Sequence, residues 1–274
     1  MMIEYAYAKV NRSLRLTGKR PDGYHTLRSV MQTVSLRDEL LYEPGGTFRF
    51  DCSDSRLDSP RNLCVKAAGA YFAASGVRPN GHLTLRKAIP FGAGLGGGSA
   101  DAAAVLRLLQ RVHDHPLSEP ALLSLAAGLG ADVPFCLHGG KALCEGIGEI
   151  LTPLPDEPEE YLLILKPEGA LSTADMYRMW DEAHPDGPET ETEEGNDFEP
   201  LAFRLLPAVR ELRDRLLVAG AREALMTGSG SAVFGRFDSP AACEEAETRV
   251  NENDGTTPGN AAAFSAACRT VARY

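Results

Sequence analysis

The sequence predicts an α+β fold in two lobes, and three observations carry that prediction. Short apolar and β-branched runs cut by turns fill the first 60 or so positions, and a glycine-dense loop then opens onto helical periodicity. A Pro- and acid-rich break at Pro153–Glu160 separates this half from a second mixture of strands and helices. The boundary therefore falls near residue 155, giving an N-terminal lobe over 1–155 and a C-terminal lobe over 156–274.

Taken in order, Ile3–Ala8 and Ser13–Leu16 alternate with period two, Gly18–Gly23 is rich in turn residues, and His25–Leu36 reads as strand. Glu39–Tyr42 and Thr47–Phe50 flank Pro44-Gly45-Gly46, the pattern of a hairpin. Asn62–Ser75 has helical composition and His82–Arg86 is a strand. After Pro90–Gly98, the apolar positions Ala102, Val105, Leu106, Leu109 and Val112 recur at helical spacing, with Ser99 as the expected N-cap. Ser118 opens a second helix running to Gly128, and Pro134 suits the first turn of a short third one ending at Gly139-Gly140. Beyond the break, Tyr161–Leu165 is a strand, Thr173–Ala183 a helix, and Pro185–Gly195 an acidic loop without periodicity. Phe198–Leu206, Pro207–Ala219 and Ser239–Val250 read as helices. Glu223–Met226 and Ser231–Phe237 read as strands, and the Ala-rich tail from Ala261 fits either state.

With 274 residues, 43% hydrophobic and 24% charged, the chain has the composition of an ordinary globular protein. The formal net charge of −10 argues against a nucleic-acid partner, which selects a basic surface, and against a polybasic membrane anchor. No apolar run approaches a membrane span, and the N-terminus lacks a secretory pattern. The six cysteines are scattered without metal-ligand spacing, as expected of reduced thiols in a cytoplasm. The acids are uneven: Asp186, Glu189, Glu191, Glu193 and Glu194 crowd one loop. Residues 9–28 instead carry Lys9, Arg12, Arg15, Lys19, Arg20 and Arg28 against only Asp22. Nothing in the pattern separates a monomer from a homodimer.

The loop Pro90-Phe91-Gly92-Ala93-Gly94-Leu95-Gly96-Gly97-Gly98-Ser99-Ala100 puts five glycines into seven residues and leads straight into a helix. Removing side chains lets backbone N–H groups converge on an anion, and the helix terminus adds partial positive charge. A flexible linker is the alternative, but linkers seldom end in an amphipathic helix. No Gly-Lys-Ser or Gly-Lys-Thr follows, so the loop is not of the P-loop type. Gly92, Gly94 and Gly97 satisfy Gly-x-Gly-x-x-Gly, yet Pro90 and the charged Arg86-Lys87 precede them, which does not suit a dinucleotide-binding turn. The His-Arg-Asp and Asp-Phe-Gly triplets of protein kinases are missing as well.

Pro-x-x-x-Gly-Leu-Gly-Gly-Gly-Ser-Ala at Pro90–Ala100 resembles the phosphate loop of the GHMP kinases, the superfamily of galactokinase, homoserine kinase, mevalonate kinase and phosphomevalonate kinase. Ala8-Lys9-Val10-Asn11 and Thr227-Gly228-Ser229-Gly230-Ser231 resemble its two other motifs, in the expected order. Asp22-Gly23-Tyr24-His25, Leu129-Gly130-Ala131-Asp132-Val133-Pro134-Phe135, Glu145-Gly146-Ile147-Gly148-Glu149 and Asn196-Asp197-Phe198-Glu199 narrow the resemblance to one branch. That branch uses ATP to phosphorylate the 2-hydroxyl of 4-diphosphocytidyl-2-C-methyl-D-erythritol in the non-mevalonate route to isoprenoid precursors. The resemblance runs from about Tyr7 to Phe237. It implies a two-lobed fold with a ribosomal-protein-like α/β N-terminal lobe that binds ATP and a ferredoxin-like C-terminal lobe. Two departures stand out: polar Arg12-Ser13 follows Asn11 where apolar residues are usual, and Ala261–Ala267 is an unusual final strand.

Carried over position by position, the resemblance implies Lys9 and Asp132 as the catalytic pair. A carboxylate near a hydroxyl accepts its proton as the phosphoryl group arrives, and an ammonium beside it fixes the carboxylate and offsets charge. Read alone, Asp132 equally suits a cap for the Pro134 helix, and Lys9 a surface charge. The resemblance implies ATP on Pro90–Ala100, with Asn62 and Lys87 near the nucleotide. Tyr24 and His25 are implied to hold cytosine by stacking and hydrogen bonding, with Tyr177 closing over the base. As isolated residues these suit a turn and a helix core face. Asn11 and Thr173 are implied as substrate contacts, and Gly228-Ser229-Gly230 offers backbone N–H groups to phosphate or simply turns a hairpin. Magnesium is expected with ATP, with Ser99 as a possible protein donor and no carboxylate assigned to it. The partners are small molecules. A sibling kinase or decarboxylase of the superfamily, an idle ATP-binding module and a dinucleotide oxidoreductase are the rivals. Tyr24-His25 speaks against the first, and Lys9 with Asp132 against the second.

Overall fold

In the computed structural model, which describes residues 1–188, 194–252 and 262–273, the N-terminal alternation becomes two long antiparallel strands, β1 (Met2–Lys19) and β2 (His25–Glu43). Their register shifts between Tyr7 and Lys9 and again between Asn11 and Ser13. Such irregularities bend a strand and re-aim its side chains, and these two bracket Lys9-Val10-Asn11. The chain continues through β3 (Arg49–Cys52), α1 (Leu63–Ser75), β4 (His82–Arg86), α2 (Gly97–Val112), α3 (Glu119–Leu129), α4 (Val133–His138), β5 (Lys141–Glu145) and β6 (Ile150–Pro153). After the break come β7 (Tyr161–Pro167), α5 (Thr173–Ala183), β8 (Gly195–Asn196), α6 (Glu199–Leu205), α7 (Pro207–Val218), β9 (Glu223–Met226), β10 (Val233–Phe237), α8 (Pro240–Glu252) and β11 (Ala262–Arg269).

One sheet runs β3-β4-β2-β1-β8, with β5 on β2 and β6 on β5; the other runs β11-β7-β10-β9. The second is the β-α-β-β-α-β arrangement of a ferredoxin-like lobe, all antiparallel, as expected. Helices α1 to α4 pack their apolar faces, with Ala67, Tyr71, Leu106 and Phe135, against the first sheet. A second core lies under α5 to α8, and it takes in Leu14, Leu16 and Leu27 from the far end of the β1–β2 hairpin. A third cluster joins the two: Ile89, Ala93 and Leu95 of the glycine loop meet Val10, Ile164 and Phe234. The loop is therefore seated in the seam between the sheets.

Several expectations change. The Pro44-Gly45-Gly46 turn is not a hairpin, because β3 pairs parallel to β4, which stands between it and β2. Ser99 is not the N-cap of α2. The helix starts three residues earlier, at Gly97, with Gly96 as cap in a left-handed conformation (φ +69°) that glycine adopts without strain. Strands β5 and β6 go unread in the sequence, and the Ala-rich tail is strand. Arg12 does not meet a core: it reaches Glu157 at 2.9 Å and Glu160 at 3.1 Å, holding the connection between the lobes. The Ser13 hydroxyl accepts the Val30 N–H. Ala261 and the acidic-loop residues Glu189, Glu191 and Glu193 lie outside the described residues. Among the described residues no helix is long and apolar enough to cross a membrane, and all six cysteines are free thiols.

Candidate active site

The glycine loop presents the start of α2 to an open face. The first intrahelical bond runs from the Ala100 N–H to the Gly96 carbonyl at 2.8 Å, which leaves the N–H groups of Gly97, Gly98 and Ser99 at the uncapped positive end of the helix. Nothing lies within 4 Å of where a Gly98 Cβ would stand. Beside the loop, Ser53, Asp54, Arg56, Lys87, Pro90 and the exposed Phe91 line a cavity of about 400 Å³. Ala93 and Gly94 face the other way, toward the second glycine loop, where the Ala232 N–H donates to the Ala93 carbonyl at 3.1 Å. The loop thus has one side for an anion and one for its own anchorage.

Lys9 and Asp132 come together at the foot of this cradle. Lys9 is 3% exposed, and its Nζ lies 3.4 Å from Asp132 Oδ2, 2.7 Å from Asn11 Oδ1 and 3.1 Å from the Gly94 carbonyl. A Cβ at Gly96 would meet Lys9 Cγ at 3.0 Å, so that glycine gives the lysine stem its passage. Asp132 occupies the N-cap position of α4 but makes no capping hydrogen bond there, and its carboxylate is 30% exposed. It is thus free for another task. Asn11 is buried with both ends of its amide committed: Oδ1 to Lys9 and Nδ2 to Ser29 Oγ at 2.7 Å. It stands behind Lys9, orienting it, rather than in the open cleft. Thr227, wholly buried, accepts the Asn11 N–H at 3.1 Å and completes this set.

A second group of residues forms an aromatic wall. His25 stacks on Tyr177 with ring centroids 4.8 Å apart, Trp180 meets His25 edge-on at 6.0 Å, and Phe198 meets Tyr177 edge-on at 4.9 Å. Burial, reinforced by the Asp132 charge, pushes the Tyr177 hydroxyl up to about 12, so it stays protonated. Tyr24 is 61% exposed on the turn before His25. His25 Nε2 lies 2.5 Å from Asp181 Oδ1, and Lys19 Nζ lies 2.5 Å from the other oxygen. Burial raises the Asp181 carboxyl, but the hydrogen bonds from Lys19 and His25 outweigh it and hold it below its ordinary value.

The remaining expected residues divide. Thr173 Oγ1 and Ser229 Oγ are 2.8 Å apart, which brings α5 to the Gly228-Ser229-Gly230 turn. Asn62 is spent on structure: it caps α1 by accepting the Cys64 N–H at 2.8 Å and donates to the Leu57 carbonyl at 2.9 Å. Lys87 lines the cavity, and its Nζ is bound by Asp38 at 2.5 Å and Asp101 at 2.7 Å. Asn196 donates to the Met226 and Gly228 carbonyls, and Glu199 accepts the Met226 N–H, so that motif braces the second glycine loop. Thr227, Ser29, Asp38, Asp101 and Asp181 received no role from sequence. Thr227 lies inside a quoted motif, whereas the others carry no local signal because their partners are distant along the chain.

Residues 62–140 match the GHMP kinases N terminal domain and residues 184–255 match the GHMP kinases C terminal domain. Relatives named 4-diphosphocytidyl-2-C-methyl-D-erythritol kinase are similar over most of their length. The one from Desulfitobacterium hafniense is 42% identical over 84% of this chain and 85% of its own, and that from Citrifermentans bemidjiense 40% identical over 97% and 98%. A crystal structure of 4-(cytidine 5'-diphospho)-2C-methyl-D-erythritol kinase superposes with TM-score 0.79 at 33% identity, covering 98% of this chain and 99% of that one. A homoserine kinase from Cytophaga hutchinsonii, at 17% identity and TM-score 0.69, shares the fold. With both lobes, their motifs and close relatives over nearly the whole length in agreement, the chain belongs to the 4-diphosphocytidyl-2-C-methyl-D-erythritol kinase family of the GHMP kinases.

Proposed function

We propose that this chain transfers the γ-phosphoryl group of ATP to the 2-hydroxyl of 4-diphosphocytidyl-2-C-methyl-D-erythritol, a reaction of the non-mevalonate route to isoprenoid precursors. The observation that carries the chemistry is the Lys9–Asp132 contact at 3.4 Å, lying between an anion cradle and an aromatic wall. Asp132 accepts the hydroxyl proton while the new oxygen–phosphorus bond forms and the bond to the ADP oxygen breaks. Lys9 keeps the carboxylate in place and offsets negative charge. The transition state is loose, so placement and electrostatics carry more of the rate than full deprotonation of an alcohol.

The backbone N–H groups of Gly97, Gly98 and Ser99 suit the phosphates of ATP, and the cavity between Ser53–Arg56 and Lys87–Phe91 suits its nucleoside. Among the described residues no three His, Cys, Asp or Glu side chains are grouped to hold a metal ion. Magnesium is proposed to arrive on the nucleotide, with Ser99 as a candidate donor. When bound, the ion neutralises phosphate charge. Tyr24, His25 and Tyr177 take the cytosine, while Thr173 and the Gly228–Gly230 turn lie toward the rest of that substrate. We assign residues 1–155 to the ATP lobe and 156–274 to the second lobe, and the cytoplasm as location.

ADP release with the cytidine compound, mevalonate and homoserine as acceptors tests the assignment. Turnover is expected with the cytidine compound alone, and turnover of homoserine in its place would overturn it. Asp132→Asn should still bind ATP and lose about 10²- to 10⁴-fold in kcat, the usual contribution of a positioned proton acceptor. A variant near the wild-type rate would remove Asp132 from the chemistry.

A further inference from the structure

We propose that Asp181 is a positioning residue that fixes the ring tautomer of His25 and so makes the base site read cytosine and reject uracil, an inference resting on the assignment of that site above. The His25 side chain is only 5% exposed and its Nε2 lies 2.5 Å from Asp181 Oδ1. An ionised carboxylate accepts and cannot donate, so at this distance Nε2 carries the proton. Lys19 on the second oxygen of Asp181 keeps that carboxylate charged and prevents it from turning away. In a neutral imidazole protonated at Nε2, Nδ1 holds a lone pair. Among the described residues Nδ1 makes no hydrogen bond, and it is not one of the sealed unpartnered atoms, which leaves it open to a ligand. Tyr177 on the ring face and Trp180 at its edge fix the direction in which it points.

A fixed acceptor discriminates between the two pyrimidines. Cytosine carries an amino donor at position 4, and uracil carries an oxygen acceptor there, which would set lone pair against lone pair. Asp181 therefore selects the base without touching it. Asparagine at 181 can offer its NH₂ to Nε2 instead, releasing the proton to Nδ1 and reversing the selection.

Long-range ¹H–¹⁵N spectra of the full chain at about pH 8 report the tautomer directly. In the wild type, His25 is expected to be neutral with the proton on Nε2; a proton on Nδ1, or a doubly protonated ring, would overturn the proposal. In Asp181→Asn the signal should move toward the other tautomer. That variant's KM for the cytidine compound should rise about 10- to 100-fold with kcat within about threefold, and its preference over the uridine analogue should fall. An unchanged cytidine-to-uridine ratio would also overturn it. Failure of the wild type to use the cytidine compound, with the expected tautomer present, would instead sink the functional reading and the base assignment with it. Because the wild-type spectrum needs no variant and no substrate, the tautomer is decided even if Asp181→Asn folds poorly.

Discussion

Gly94 holds a position that other residues cannot fill. Its φ is +75°, and a Cβ there would stand 2.1 Å from the Thr227 carbonyl, so the two glycine loops touch backbone to backbone. The sequence shows a glycine-dense anion loop but not that one of its glycines faces away from the anion, because Thr227 is 133 residues distant. Gly94→Ala combines a left-handed backbone with a contact that neither main chain can relieve. It should cost about 2–4 kcal/mol of stability, measurable by urea unfolding. An unchanged midpoint would mean that the loops separate freely. The same reasoning bears on Asn11: the resemblance implies a substrate contact there, and the fold adds that its buried amide is divided between Lys9 and Ser29, which supports the lysine.

At the scale of elements, helix α1, strand β4 and helix α5 were legible to within a residue, since each is a local pattern with its own start signal. Strand β3 was legible as a strand but not in its pairing, which depends on β4 thirty residues on. The strut beneath the glycine loop could not be read at all. Asp38 on β2 accepts the Ala88 and Ile89 N–H groups at 2.5 and 2.8 Å, and Lys87 ties Asp38 to Asp101 on α2. One ammonium thus serves two buried carboxylates. Burial pushes the Asp101 carboxyl up, Lys87 opposes this and Asp38 reinforces it, with the result near 8. An unfolded aspartate titrates near about 3.9. Between those values the folded protein keeps a proton that the unfolded chain has released. Its contribution to stability is therefore full at the acid end and falls as pH rises toward 8. Asp101→Asn should remove that slope, so unfolding midpoints of variant and wild type should diverge systematically across the window. Parallel pH profiles would show that Asp101 is ionised throughout.

Across the whole molecule, most of the cations over residues 9–28 are paired with acids. Lys9 meets Asp132, Arg12 meets Glu157 and Glu160, Arg15 meets Asp197, Lys19 meets Asp181, and Arg20 meets Asp22. Most of these acids belong to distant segments, so the charge excess visible in sequence becomes a set of ties in the fold. The lobes are joined by polar bonds as well. Gln32 on β2 is nearly buried, and its Nε2 is shared among the carbonyls of Thr33 at 3.0 Å, Gly140 at 3.3 Å and Val271 at 3.0 Å. Val271 follows β11 of the second sheet and itself donates to the Thr33 carbonyl at 2.9 Å, while Thr270 bridges to Val34. One side chain thus links the centre of the first sheet, the loop after α4 and the segment leaving the second sheet. Gln32→Ala would take this donor from the Val271 carbonyl, a part-buried hydrogen bond, at a cost of about 1 kcal/mol. Because the third apolar cluster already couples the lobes, the loss should lower the midpoint of a single cooperative unfolding transition. A second transition appearing in the variant would mean that Gln32, rather than the apolar seam, holds the lobes as one unit.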